Sequence, residues 1–196
     1  MQLIHELNED DADRRLQFCE QLMLRCDEDQ NFLNNILFFD EATFCLNGTV
    51  HRHNCRYWSR ENPHWTQDSH SQRRGKVNVW MGIIGRRFIG PYFLQGNLTA
   101  ARYLNFLRLD LIPALAEMFP NNQEADVPRL DIWFQHDGAP PHFGVDVRQY
   151  LDATFPERWI GRRGQIEWPP RSPDLTPLDF FSVGLFKIKS LLQQTK

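Results

Sequence analysis

Two aspartates stand where hydrophobic runs of this chain stop, and a third stands at the expected start of its last helix. Asp40 follows "NNILFF", Asp137 follows "DIWFQH", and Asp179 falls within "SPDLTPLDFF". In "FQHDGAPPH" the second acid is followed at once by Gly138 and then by Pro140 and Pro141, so a buried strand ends there and a turn begins. Strand ends are where α/β folds collect ligands. A cluster of three such carboxylates could hold hard cations such as Mg²⁺ or Mn²⁺ through oxygen, leaving positions open for water and phosphate. Two ions about 4 Å apart can activate an attacking oxygen and stabilise a leaving one in phosphoryl transfer. Asp137 lies 97 positions after Asp40 and Asp179 lies 42 positions after Asp137, so only a fold that joins two strand ends and one helix start can assemble them.

Each acid also has a plainer reading. Asp137 suits a turn, because its carboxylate can bond the backbone two residues on. Thr176, Pro177 and Asp179 make a good helix start, with threonine as N-cap and the acid in the first turn. Asp174 competes for the place of third acid. Glu41, next to Asp40, points to the other face of its strand and is expected to meet solvent. His142 reads as a cap or a hydrogen-bonded core residue ahead of a phosphate contact. His51, His53 and Cys55 alternate, which on a strand would project them to one side as part of a zinc set with His64 or His70, but the spacing matches no common structural site.

The elements that must position these residues alternate in a recognisable way. Helix is expected from Asn8 to about Cys26, with Asn8 as N-cap and Leu16, Cys19, Leu22 and Met23 on one face. A buried strand, Ile36 to Phe39, is expected to end at Asp40. "TFCLNG" and "HRHNCRYW" continue as extended segments with a hairpin signal at Asn47-Gly48. Residues 76–96 hold two strands broken at Gly85, and 99–119 form a helix capped by Thr99 that Pro113 must kink or split. Leu104, Leu107, Leu111, Leu115 and Met118 give that helix its apolar stripe. Strand 130–136, helix 142–154, a short strand in "QIEWPP" and a closing helix in "TPLDFFSVGLFKIKSLL" follow. In helix 142–154 Val145, Val147, Tyr150 and Leu151 are the apolar positions. Antiparallel strands first and βα alternation later fit a mixed central sheet with helices on both faces.

Composition sets the outer bounds. The chain has 196 residues, is 41% hydrophobic and contains 15 Phe and 6 Trp, enough to bury a core as one domain of ordinary size. It has no run of about 18 apolar residues, so no membrane partner is expected. The acidic start "MQLIHELNEDDADRR" is unlike a secretory signal. The four cysteines form no C-x-x-C pair and are read as reduced thiols. The net charge of −3 conceals a strong asymmetry: residues 1–50 hold 11 acids and 3 bases, whereas 51–90 hold 8 bases and 2 acids. That basic segment also carries Tyr57, Trp58, Trp65 and Trp80, a mixture suited to a nucleic-acid backbone and its bases, and equally to a solvated hairpin. Arg52, Arg56, Arg73, Arg74 and Lys76 are its candidate DNA contacts, with Trp168 and Arg171 near the third acid. Packing at a rim is the competing role of Trp168.

"FFDEATF", "HRHNCRYWS", "KVNVWMGI", "FQHDGAPPH" and "EWPPRSPDLTPLDFF" together resemble the catalytic domain of mariner-superfamily DNA transposases. "IHELNEDDADRRLQFCEQLM" is similar to the linker and first helix that precede that domain, so the likeness runs from about Ile4 to Phe181. It implies a ribonuclease H-like fold, with residues 1–30 as linker remnant and first helix and 31–196 as the catalytic domain. By the resemblance Asp40, Asp137 and Asp179 are the metal-binding catalytic acids. It further implies two Mg²⁺ or Mn²⁺ ions, no organic cofactor, double-stranded DNA as partner, a possible homodimer, and work in the nucleus. The reaction it implies is cut-and-paste transposition. Three departures stand out. Forty-one residues separate the second and third acids, more than in the best-known relatives, and the surplus is expected as a loop in "FPERWIGRRGQIE". The family's paired helix-turn-helix modules have no counterpart in this sequence, and the last helix stops soon after the third acid. A non-enzymatic DNA-binding or protein-interaction module derived from such an element is the contrasting expectation.

Overall fold

The computed structural model describes residues 7–45, 76–120 and 131–178. Six strands form one mixed sheet in the order β3-β2-β1-β4-β5-β6. These are β1 (Ile36–Cys45), β2 (Lys76–Ile84), β3 (Arg87–Leu94), β4 (Trp133–Gln135), β5 (Trp159–Gly161) and β6 (Ile166–Glu167). β1, β2 and β3 run antiparallel as a meander, and the Gly85-Arg86 turn joins the last two as expected. β4, β5 and β6 extend the other side of β1 in parallel.

Helices cover both faces. α1 (Asp11–Glu28) lies on one side, while α2 (Ala100–Phe106), α3 (Ile112–Met118) and α4 (Val145–Thr154) lie on the other. The larger core packs Leu37, Phe39, Trp80, Tyr103, Leu107, Phe134 and Leu151 between the sheet and α2–α4. The smaller one packs Phe18 of α1 against Ile36, Ile160, Ile166 and Trp168. Strand alternation explains the division, since Ile36 and Leu37 point to opposite faces and each is fully buried.

Several local expectations are refined. α1 starts at Asp11, after a turn in which the Asn8 amide donates to the Asp11 carboxylate at 2.8 Å, so Asn8 precedes the helix rather than capping it. Its buried face is centred on Phe18 with Leu22 and Cys26 beside it, whereas Leu16, Cys19 and Met23 are exposed. Val145, at the first position of α4, is likewise exposed. Thr99 does cap α2, accepting from the Arg102 amide at 3.3 Å. Between α2 and α3 the chain takes a π-helical turn at Leu107–Leu111. Pro113 lacks an amide hydrogen and would crowd the carbonyl four residues back, and the wider turn before it relieves both constraints while Leu107, Leu111 and Leu115 stay buried.

The segment leading to the last acid is tied down by α1. Arg171 bonds Asp11 through two nitrogens, at 2.5 and 2.7 Å. Arg15 reaches Ser172 and Asp174, Arg14 reaches Glu167, and Phe18 meets Trp168 edge-on at 5.2 Å. Beyond it, Pro177 and Leu178 begin a helix.

Candidate active site

β1 and β4 are parallel neighbours, pairing Ile36 with Trp133 and Leu37 with Phe134. Counting three residues onward from the second pair reaches Asp40 on one chain and Asp137 on the other. The two acids therefore hold equivalent stations where adjacent strands part. β1 does not end at Asp40, contrary to expectation. It loses β4 as a partner but keeps β2, pairing Asp40 with Met81 and continuing to Cys45. Asp40 is half-buried and its Oδ1 accepts the Glu41 amide at 2.8 Å.

Asp137 lies two residues past β4. Its Oδ1 accepts the Ala139 amide at 3.0 Å, the turn that aspartate favours, and bonds His142 Nδ1 at 2.6 Å. His142 sits in a single 3₁₀ turn, Pro140–Phe143, and is almost fully buried. Its other nitrogen, Nε2, lies 3.3 Å from Glu41 Oε1. Glu41 does occupy the face opposite Asp40, but that face is covered by the 139–143 turn, so its side chain is only 21% accessible and meets His142 in place of solvent. The hydrogen-bonded reading of His142 is the one the structure shows.

Two buried rings frame this relay. The Tyr103 ring lies 4.4 Å from that of His142, and His136 lies parallel to it at 5.3 Å. Burial opposes a charge on His142, but the carboxylates of Glu41 and Asp137 outweigh it and raise the pKa to about 10, so the ring is an imidazolium at neutral pH. His136 goes the other way: burial first, then the neighbouring His142 charge, push its pKa well down and keep it neutral. Burial raises Asp137, yet the bond and charge of His142 prevail and lower its pKa. Two carboxylates, Glu41 and Asp137, around one imidazolium leave an excess of negative charge.

The donor set suits a hard divalent cation. Asp137 Oδ2 makes no hydrogen bond among the described residues, and its side chain is 55% accessible, so a carboxylate oxygen is presented outward while Oδ1 is held. No group of three His, Cys, Asp or Glu placed to hold a metal occurs among the described residues. Asp179, the alternating His51, His53 and Cys55, and Arg52, Arg56, Arg73 and Arg74 lie outside them, as do Asn47-Gly48 and the greater part of the closing helix. Lys76 opens β2 opposite Cys45.

Other candidates are accounted for differently than expected. Asp174 is bonded by both terminal nitrogens of Arg15, at 2.5 and 3.0 Å, which makes it an ion-pair partner rather than a spare metal ligand. Trp168 is only 6% exposed and edge-on to Phe18, so packing accounts for it and its ring is not offered to DNA bases. The guanidinium of Arg171 is engaged by the buried Asp11 through two of its nitrogens. "FPERWIGRRGQIE" is not simply a loop, because Trp159–Gly161 enters the sheet as β5 beside β4. Glu41, His136 and Tyr103 escaped sequence reasoning as parts of one site. The signal for Glu41 was present in strand alternation, but which turn would cover its face was not.

A mixed sheet with this strand order, covered on both faces and carrying acids where neighbouring strands part, defines a ribonuclease H-like domain. No family model matches the chain. The chain is 26% identical over 148 residues to the Tc3 transposase of Caenorhabditis elegans, covering 74% of this chain and 39% of that protein. The Mos1 mariner paired-end complex with Mn superimposes with a TM-score of 0.66 at 26% identity, over 99% of this chain and 57% of the Mos1 chain. The Mos1 catalytic domain solved with raltegravir and Mg gives 0.64 at 25% identity, over 97% of this chain and 84% of that one. The chain thus has an architecture similar to that of the Mos1 mariner transposase catalytic domain, and it spans about two fifths of the curated relative it matches.

Proposed function

We propose that this chain is the catalytic core of a mariner-like DNA transposase, hydrolysing DNA phosphodiesters with divalent metal and joining the freed 3′ hydroxyl to new DNA. The observation that carries this reading is the pairing of stations: Asp40 and Asp137 each lie three residues beyond the paired Leu37 and Phe134 of two adjacent parallel strands, with Asp137 held by His142 and the Ala139 amide. The relatives point the same way, since Mos1 has been solved in a paired-end complex with Mn and its catalytic domain with Mg. In this reading Asp40, Asp137 and Asp179 hold the metal, and duplex DNA is the partner. Two copies of the chain would act together on paired ends, in the nucleus where chromosomal DNA lies.

The residues in hand have definite tasks. His142 fixes Asp137 Oδ1 and thereby orients Oδ2 outward, while Glu41 fixes the far side of the imidazole ring. Tyr103 and His136 wall the relay from water, so the ring has no room to turn. A bound Mg²⁺ or Mn²⁺ pair would supply charge neutralisation and an activated oxygen for in-line attack at phosphorus. Plasmid nicking in Mn²⁺ tests the proposal. The parent should nick supercoiled DNA, Asp40→Asn and Asp137→Asn should not, and Asp174→Asn should retain activity because Asp174 is committed to Arg15. A folded parent inert with both metals would overturn the enzymatic reading in favour of a non-catalytic DNA-binding module.

A further inference from the structure

We propose that Arg148, Arg162 and Arg163, gathered around the ring of Phe143, form a binding site for the phosphodiesters of a DNA backbone. The three guanidinium carbons lie 4.7, 4.2 and 5.4 Å from one ring centre. They come from two elements, α4 and the turn between β5 and β6, so tertiary packing and not local sequence brings them together. Arginine over an aromatic face is favourable singly, but three cations at one ring repel each other unless an anion joins them. No carboxylate does so among the described residues. Arg148 Nε is buried without an acceptor there, which is an unusual state for a charged donor. Arg162 and Arg163 are exposed, and Arg163 adopts a left-handed backbone with φ 64°, turning that tight loop outward.

Placement selects the ligand. Phe143 directly follows His142, which holds Asp137. Arg162 directly follows Gly161, and a Cβ on Gly161 would lie 2.3 Å from His136. Phe143 and Arg162 therefore each stand one residue beyond a wall of the acid site. A backbone whose phosphodiester enters that site extends its next phosphates across its rim, where forked guanidinium donors match phosphate oxygens. This assignment rests on the proposed DNA chemistry but makes a separate demand, since backbone binding needs no metal.

The test is the salt dependence of duplex binding by the full chain in EDTA, read by fluorescence anisotropy. Each phosphate contact contributes about 0.9 to the slope of log affinity against log salt. Arg162→Ala/Arg163→Ala should flatten the slope by about two, and Arg162→Lys/Arg163→Lys should largely restore it, because a lysine still neutralises a phosphate. Arg108→Ala removes a comparable guanidinium from the Tyr150 ring on another surface and should leave the slope unchanged. An unaltered slope in the alanine pair, with its melting temperature retained, overturns the site, as does a parent whose duplex binding ignores salt. Polyglutamate displacing the parent from DNA as well as free duplex does would overturn the phosphate assignment. A parent that nicks while the alanine pair keeps its slope sinks only the arginine site, whereas a parent that never nicks but loses slope in the pair sinks only the catalysis.

Discussion

His142 is a buried cation held between two acids, and its protonation must register in stability. Its folded pKa of about 10 lies above the ordinary 6.5, so its contribution is fully present below about pH 6.5 and is lost as the pH rises through about 10. Asp137 has the opposite sign. Its lowered pKa contributes above the unfolded carboxylate value of about 3.9 and is lost on acidification. In EDTA the melting temperature of the parent should therefore fall between about pH 7 and pH 10. His142→Gln should melt lower at neutral pH and show a flatter decline over the same interval. Parallel declines in parent and variant would mean that the fold does not draw on the imidazolium.

At the scale of elements, the site depends on how closely β5 approaches the turn after β4. The His136 amide donates to the Ile160 carbonyl at 2.9 Å, and its ring fills the space where a side chain at Gly161 would start. His136 cannot retreat, being 1% exposed among Tyr103, Phe134, Trp159 and His142. Gly161→Ala should then destabilise the fold by about 1–3 kcal/mol through overpacking, measured by urea denaturation. An unchanged midpoint would show that the strand has slack that the geometry denies. The same approach explains why the strand between the second and third acids is not legible in the sequence, which reads as a loop: three residues, Trp159–Gly161, are too few for a periodic signal, and their partner β4 supplies the pairing.

For the whole molecule, the segment that leads to residue 179 is fixed by the first helix. α1 clamps residues 167–174 by Arg14, Arg15, Phe18 and Asp11, so the first helix sets where the last one begins. Carboxylates gathered in this way repel until a cation joins them, and a ligand that binds only the folded state stabilises it by mass action. Mn²⁺ at about 100 times its dissociation constant should add roughly 2.7 kcal/mol to the unfolding free energy. Thermal melts of the parent with and without Mn²⁺ should show that gain, and Asp137→Asn should lose it. An equal metal shift in parent and variant would place the cation elsewhere.

The sequence by itself determined the kinds of elements and the place of Asp137 just past a strand end. Alternation, capping at Thr99 and the break imposed by Pro113 are properties of neighbours along the chain, and they placed a mixed sheet with helices on both faces. The motif around Asp137 was legible for the same reason, because strand, acid, glycine and prolines are contiguous. Tertiary structure alone decided which surfaces meet. Glu41 meets His142 across 101 positions, Arg171 meets Asp11 across 160, and Arg162 shares a ring with Arg148 from another element. A side chain's local pattern fixes the face it occupies but not what covers that face. Burial, charge pairing and the choice between packing and a free guanidinium depend on that cover, which only the assembled sheet and its helices supply.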